Sequence, residues 1–239
     1  VTDSGADIPE NCNLDIHIVP VRYNFGNTSY IDKLSQNPKE FYKELANNPI
    51  HPQTSQPTPG DFRRRYQYLK SHYNSIISIH IPHKMSGTFQ SALNASNRLE
   101  NSSITVIDGL SASVGLGLIV MQAASLAKNG LNHNEIESLL VDIINATNLF
   151  IAINDLSYVV KGGRLPIWVK KIADFLNIKL IITTKNDGKM GFAGFMRGKA
   201  DLANKMSKFI HNKIDPNKKY NISIGHSNIL EDAKKLKQM

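Results

Sequence analysis

The 239 residues, 41% of them hydrophobic, suffice for one large α/β domain or two modest ones and are too apolar for a disordered chain. The single cysteine, Cys12, excludes an internal disulfide, and without a CxxC or Cys/His cluster it gives no zinc-finger or redox signal. The formal charge of +8 suits nucleic acid, anionic lipid or an acidic protein alike, because net charge sets long-range attraction and not fold.

No uninterrupted apolar run reaches the roughly 18 residues that a spanning helix needs. The longest candidate, Leu110 to Leu126, is broken by Ser, Gly and Gln. Arg63-Arg64-Arg65 and the lysines toward the C-terminus fall in helical or loop segments without base-stacking aromatics and read as solvated charged faces.

Strand-like runs rich in Ile and Val are predicted at Asp15 to Arg22, Ser75 to Ile81, Ser103 to Asp108 and Leu149 to Asn154. Helices are predicted at Pro38 to Asn47, Pro59 to His72, Gly87 to Leu99, Ala112 to Lys128 and Asn134 to Ala146, from apolar residues at three- and four-residue spacing. This alternation implies a mainly parallel sheet with helices on both faces, a three-layer α/β/α domain over residues 1–155.

After Asp155 the rhythm changes. A short helix ends at Gly162-Gly163, another runs from Pro166 to Leu176, and strands at Lys179 to Thr184 and Met190 to Met196 flank the hairpin signal Asp187-Gly188. A helix from Ala200 to Lys213, a strand from Tyr220 to Ile224 and a helix beginning near Asn228 complete a smaller α+β domain with a mixed sheet over 156–239, and a cleft is expected between the two domains. Val1 to Ser4 reads as the tip of a strand whose beginning is absent, and the chain stops inside a helix, so it reads as a piece of a longer polypeptide.

Three turns follow strands and precede helices: Asp3 to Pro9, His83 to Thr88, and Asp108 to Ser111. In an open parallel sheet ligands bind beyond the carboxyl ends of the strands, so these turns are expected to converge on one site. If Ser86 caps the following helix, its hydroxyl and the free N–H groups of Gly87 and Thr88 make an acceptor for a carboxylate or phosphate; equally, Ser86 is a cap serving only its own helix. In Thr54-Ser55-Gln56-Pro57-Thr58-Pro59, Thr58 serves as N-cap with Pro59 at the first helical position, and Pro57 stiffens the loop that holds the hydroxyls of Thr54 and Ser55. Lys161-Gly162-Gly163-Arg164 reads either as a phosphate-gripping loop or as a helix C-terminus ended by glycine.

Enzyme templates fail. Lys84-Met85-Ser86-Gly87-Thr88 lacks both glycines of a GxSxG nucleophile elbow, no nucleotide-binding glycine loop occurs, and His80-x-x-His83 has no third metal ligand nearby in sequence.

Taken in order, Thr2-Asp3-Ser4 with Asp7-Ile8-Pro9, Thr54-Ser55-Gln56-Pro57, Ser86-Gly87-Thr88 with Gln90-Ser91-Ala92, Val106-Ile107-Asp108 with Ser111-Ala112-Ser113, and Lys161-Gly162-Gly163-Arg164 resemble the DegV family across essentially the whole chain. The resemblance implies a bacterial, cytoplasmic, non-enzymatic carrier with the two-domain DegV-like fold, holding a long-chain fatty acid between its domains. It implies Thr54 and Ser86 as head-group ligands, with Ser55, Gly87 and Thr88 beside them. It implies a fatty-acid kinase as partner, which makes an acyl phosphate for phospholipid precursor supply, with Arg164 and Arg197 at the kinase or phosphate. No cofactor, metal, nucleic acid or stable membrane insertion is expected. The family's final strand and its His-bearing loop have no counterpart in this sequence. The rival reading is a serine-dependent hydrolase or small-molecule phosphotransferase using Ser86, which needs an orienting base.

Overall fold

The computed structural model describes residues 1–100, 103–163, 165–198 and 201–239. They form two compact units, one of residues 1–149 with 184–190, the other of residues 150–183 with 191–239.

In the first unit, β1 (Thr2–Asp3) pairs in parallel with β2 (Ile18–Val19). Two further strands, β3 (Arg22–Phe25) and β4 (Thr28–Ile31), form an antiparallel hairpin and are followed by α1 (Pro38–Asn47), β5 (Gln53–Ser55) and α2 (Pro59–Lys70). Next come β6 (Ile76–His80), α3 (Thr88–Ser96), β7 (Ile104–Asp108), α4 (Ser113–Lys128) and α5 (His133–Ala146). β6 and β7 are parallel, and Val1 joins β1 to β6, its nitrogen donating to Ile77 O at 2.7 Å and its carbonyl accepting from Ile79 N at 2.9 Å. The strand order is therefore β2-β1-β6-β7.

Alternation along β6 divides the core. Ile77, Ile79 and, just beyond, Ile81 pack with Leu116, Ile119 and Val120 of α4 and Ile136 and Leu140 of α5. Ile76 packs on the other face with Phe62, Tyr66 and Leu69 of α2 and Ala92 and Ala95 of α3. This is the expected three-layer arrangement, and each large side chain so buried contributes about 1.5–3 kcal/mol. Thr58 caps α2 as expected, accepting from Asp61 N at 3.2 Å while Asp61 Oδ2 accepts from Thr58 N at 2.9 Å.

One element was not expected. β3 is the centre of a small antiparallel sheet, β4-β3-β5, that places Gln53 to Ser55 on a strand where the sequence predicts a rigid loop. Stacked Tyr23 and Tyr30, with ring centroids 5.2 Å apart, and Phe41 of α1 hold it together.

The second unit contains β8 (Phe150–Ile153), α6 (Ser157–Lys161), α7 (Ile167–Phe175), β9 (Ile178–Thr184) and β10 (Met190–Arg197) except for Thr184 and Met190, α8 (Leu202–His211) and α9 (Leu230–Lys237). β8 pairs antiparallel with β9 in the sheet β10-β9-β8, so Phe150 and the rest of β8 belong to this unit. Ile181, Met196 and Met206 form one core cluster and Leu156, Ala173 and Leu180 another. The hairpin at Asp187-Gly188 is present, with Gly188 at φ +77° and donating to Lys185 O at 2.8 Å. The expected strand at Tyr220 to Ile224 is not formed. No described strand pairs with this segment, Tyr220 OH accepts from Asp215 N instead, and Ile222 is 65% exposed. The predicted helix start at Ala200 lies outside the described residues.

Candidate functional site

The three turns beyond β1, β6 and β7 are wired together. Asp3 is fully buried at the end of β1, where Oδ1 accepts from Gly5 N at 2.9 Å and Oδ2 from Ile81 N at 3.1 Å. Oδ2 also lies 2.9 Å from His80 Nδ1, and His80 Nε2 lies 2.7 Å from Ser78 Oγ, which accepts from Tyr66 OH at 2.7 Å. A carboxylate only accepts, so one proton arrangement satisfies the whole chain: Tyr66 donates to Ser78, Ser78 to Nε2, and Nδ1–H to Asp3. His80 is neutral in that arrangement, and burial lowers its pKa despite Asp3. The Asp3 turn is thereby fixed to the start of the β6 turn.

The β6 turn is fixed to β7 by Asp108. Its Oδ2 accepts from His83 N at 3.0 Å and lies 2.5 Å from His83 Nδ1, while Oδ1 accepts from Leu110 N at 2.9 Å. His80 and His83 thus serve separate carboxylates and form no metal pair. Among the described residues no group of three or more His, Cys, Asp or Glu is placed to hold a metal ion.

The residues singled out from the sequence lie as follows. Helix α3 starts at Thr88 with Gly87 as N-cap, so Ser86 is one residue outside the expected capping position. The reason is local: Met85 N and Ser86 N both donate to Pro82 O, at 2.8 and 3.1 Å, winding 82–86 into a turn of its own. Ser86 Oγ still reaches the helix, 2.8 Å from the Oγ1 of fully buried Thr88 and 3.3 Å from Thr88 N.

On β5, Thr54 pairs with Tyr23 and Ser55 with Arg22. Side chains alternate along a strand, so Thr54 shares a face with Tyr23 and Ser55 takes the other with Arg22. Gln56, the residue after β5, reaches α3. A methyl group on Gly87 would come within 2.5 Å of Gln56 Nε2 and closer to Oε1, and Nε2 donates to Ser91 Oγ at 3.3 Å. Gln56 therefore bridges the two predicted motifs. Sequence reasoning did not single out Gln56, whose one signal is its place two residues after Thr54, nor the buried partners of His80.

Arg197 ends β10, is exposed, and its carbonyl accepts from Lys205 Nζ at 2.6 Å. Arg164 lies outside the described residues. Gly162 is the C-cap of α6 and Gly163 has φ +73°, so this segment takes the helix-terminus form. A separate open cavity of about 400 Å³, lined by Arg22, Asp61, Arg64, Arg65 and Tyr68 among others, includes none of Thr54, Ser86 or Thr88. Among the described residues, no helix is long and apolar enough to cross a membrane.

Comparison with known proteins identifies the family and the fold. Residues 1–239 match the family described as "Uncharacterised protein, DegV family". A DegV domain-containing protein of Clostridium acetobutylicum is 37% identical over 206 residues, covering 85% of this chain and 73% of the relative. The solved structure of a fatty-acid-binding DegV family protein from Thermus thermophilus superposes with a TM-score of 0.77 at 29% identity, covering 89% of this chain and 74% of that one. DegV from Bacillus subtilis, a fatty acid binding protein, superposes with a TM-score of 0.83 at 25% identity, covering 99% and 85%.

Proposed function

The chain belongs to the DegV family, and from that premise we propose that it is a carrier for one long-chain fatty acid, whose carboxyl group is gripped by the hydroxyls of Thr54 and Ser86. The observation that carries this reading is the Gln56 bridge, which joins the strand bearing Thr54 to the turn bearing Ser86. Gly87 and Thr88 supply the start of α3, whose dipole favours an anion. Ser55 follows Thr54 on β5, paired with Arg22, and stays a candidate beside the anchor.

Energetics fit a carrier. Burying about 14 methylenes at roughly 0.8 kcal/mol each outweighs the cost of ordering the tail, so the polar anchor need only fix the head group. The carrier does no chemistry itself. It presents the acid, in the cytoplasm, to a fatty-acid kinase that forms the acyl phosphate, a role that rests on the family resemblance. Arg197 and Arg164 are assigned to the kinase or its phosphate, since guanidinium groups suit bidentate oxyanion contacts.

The hydrolase reading finds no support in this geometry. Ser86 Oγ is paired with Thr88, and the Ser78-His80-Asp3 chain is fully buried.

The test is a displacement titration of delipidated protein with a long-chain fatty acid and the matching alcohol. Saturable one-to-one binding that prefers the acid supports the carrier; no binding of either refutes it.

A further inference from the structure

The turn between β6 and α3 carries a polar group that the two hydroxyls leave unused. Asp108 accepts from the His83 backbone N–H and holds Nδ1 at 2.5 Å, so the proton sits on Nδ1 and Nε2 is turned away from the carboxylate. The His83 side chain is 46% exposed, and no hydrogen bond is formed at Nε2 among those described. Its ring centroid lies 6.3 Å from that of Phe89 in the first turn of α3, alongside the Ser86 to Thr88 segment. Because Ser86 N donates to Pro82 O, His83 and Ser86 stand three residues apart in one helical turn. Side chains so spaced are neighbours, with Cβ atoms about 5–6 Å apart. One carboxyl group can span that gap, with one oxygen on each residue.

Resting on the carboxyl-anchor reading above, we infer that His83, oriented by Asp108, is a further ligand of the head group and shares one proton with it. Neutral His83 offers an acceptor at Nε2, and the imidazolium offers a donor. The contact is therefore complete in two forms that differ only in where the proton lies: carboxylic acid with imidazole, or carboxylate with imidazolium. A carboxylate arriving from water brings no proton, so Nε2 takes one from solvent as the ligand binds, and the Asp108 carboxylate behind Nδ1 neutralises the charge gained. Lys84 is the charged residue within this turn, and the neighbouring hairpin turn carries Lys185, Asp187 and Lys189. Gly188 of that hairpin turn approaches Pro82 and Leu110, and a methyl group there would lie 2.8 and 3.2 Å from them. Asp187 and Lys189 are paired with each other at 3.5 Å, and α3 contributes apolar Phe89. Of these groups, Asp108 is the one hydrogen-bonded to the imidazole.

The experiment is calorimetric titration of the full chain with dodecanoate in two buffers of different ionisation heat, which counts protons taken up per ligand. Wild type should take up a measurable fraction of a proton. His83→Gln keeps an amide donor near the Nε2 position, so it should still bind, about tenfold weaker or less, with uptake abolished. The matching alcohol should cause no uptake in either protein. Equal uptake in wild type and His83→Gln, or binding by wild type with no uptake, overturns the role of His83 while the Thr54 and Ser86 anchor stands. If dodecanoate fails to bind wild type at all, the anchor reading falls and this inference falls with it.

Discussion

Gln56 covers the α-carbon of Gly87 so closely that no β-carbon fits beneath it. The obstacle is the end of a flexible side chain, so Gly87→Ala should cost little stability, about 1 kcal/mol or less, and act by expelling Gln56. Gly87→Ala and Gln56→Ala should then weaken fatty-acid binding to a similar degree, and the double variant should be no worse than either. Additive losses in displacement titrations would mean that the two residues act separately.

The hydroxyl anchors give a second expectation. Thr54→Val and Ser86→Ala should each lose about 1.5–3 kcal/mol of binding if the carboxyl is ionised, roughly tenfold to a hundredfold. The matching alcohol should lose less. Circular dichroism guards against a folding artefact, since Ser86 Oγ also accepts from Thr88 N. Unchanged affinity in two folded variants would remove the anchor.

Asp3 sits under three donors in a site without water access. Asp3→Ala leaves His80 and two backbone N–H groups without their acceptor and should cost about 3–5 kcal/mol in urea unfolding. Tyr66→Phe deletes one terminal hydroxyl and should cost about 1 kcal/mol. Similar small losses in both would show that the chain is not the brace described.

The same chain sets an acid limit. Burial, opposed by Asp3, lowers the pKa of His80 from its ordinary 6.5. The folded state then binds fewer protons than the unfolded state, so acid favours unfolding. The stability contributed by neutral His80 is fully present above about pH 6.5 and declines as the pH falls below it. Urea midpoints between pH 7.5 and 5 should fall more steeply for wild type than for His80→Gln; parallel slopes would contradict the assignment.

Arg197 should separate partner from ligand. Arg197→Glu is expected to keep fatty-acid affinity and to lower acyl-phosphate formation when the protein is combined with a fatty-acid kinase. Loss of lipid instead would place Arg197 at the head group.

Much of the frame was legible. Pro59, Asp61 and Thr58 marked α2, the apolar spacing of 113–128 and 133–146 marked α4 and α5, and Asp187-Gly188 marked the hairpin, because each signal is local. The β3–β4 hairpin was legible and missed: Gly26-Asn27 lies between Tyr23, Phe25 and Tyr30, and Gly26 takes φ +59° there. Tyr220 to Ile224 misled, since alternation predicts a strand only where a neighbour exists to pair with it. The site was half legible. Thr54 and Ser86 stand in recognisable motifs, but Gln56 on Ser91, Asp108 on His83 and Asp3 on His80 join residues 35, 25 and 77 positions apart, contacts that only the folded sheet creates.

Native mass spectrometry of the purified chain tests the carrier most directly. The account predicts a species heavier than the polypeptide by one long-chain fatty acid, restored after delipidation by adding one equivalent of the acid and diminished in Ser86→Ala. A spectrum holding only the polypeptide mass, before and after that addition, would contradict it.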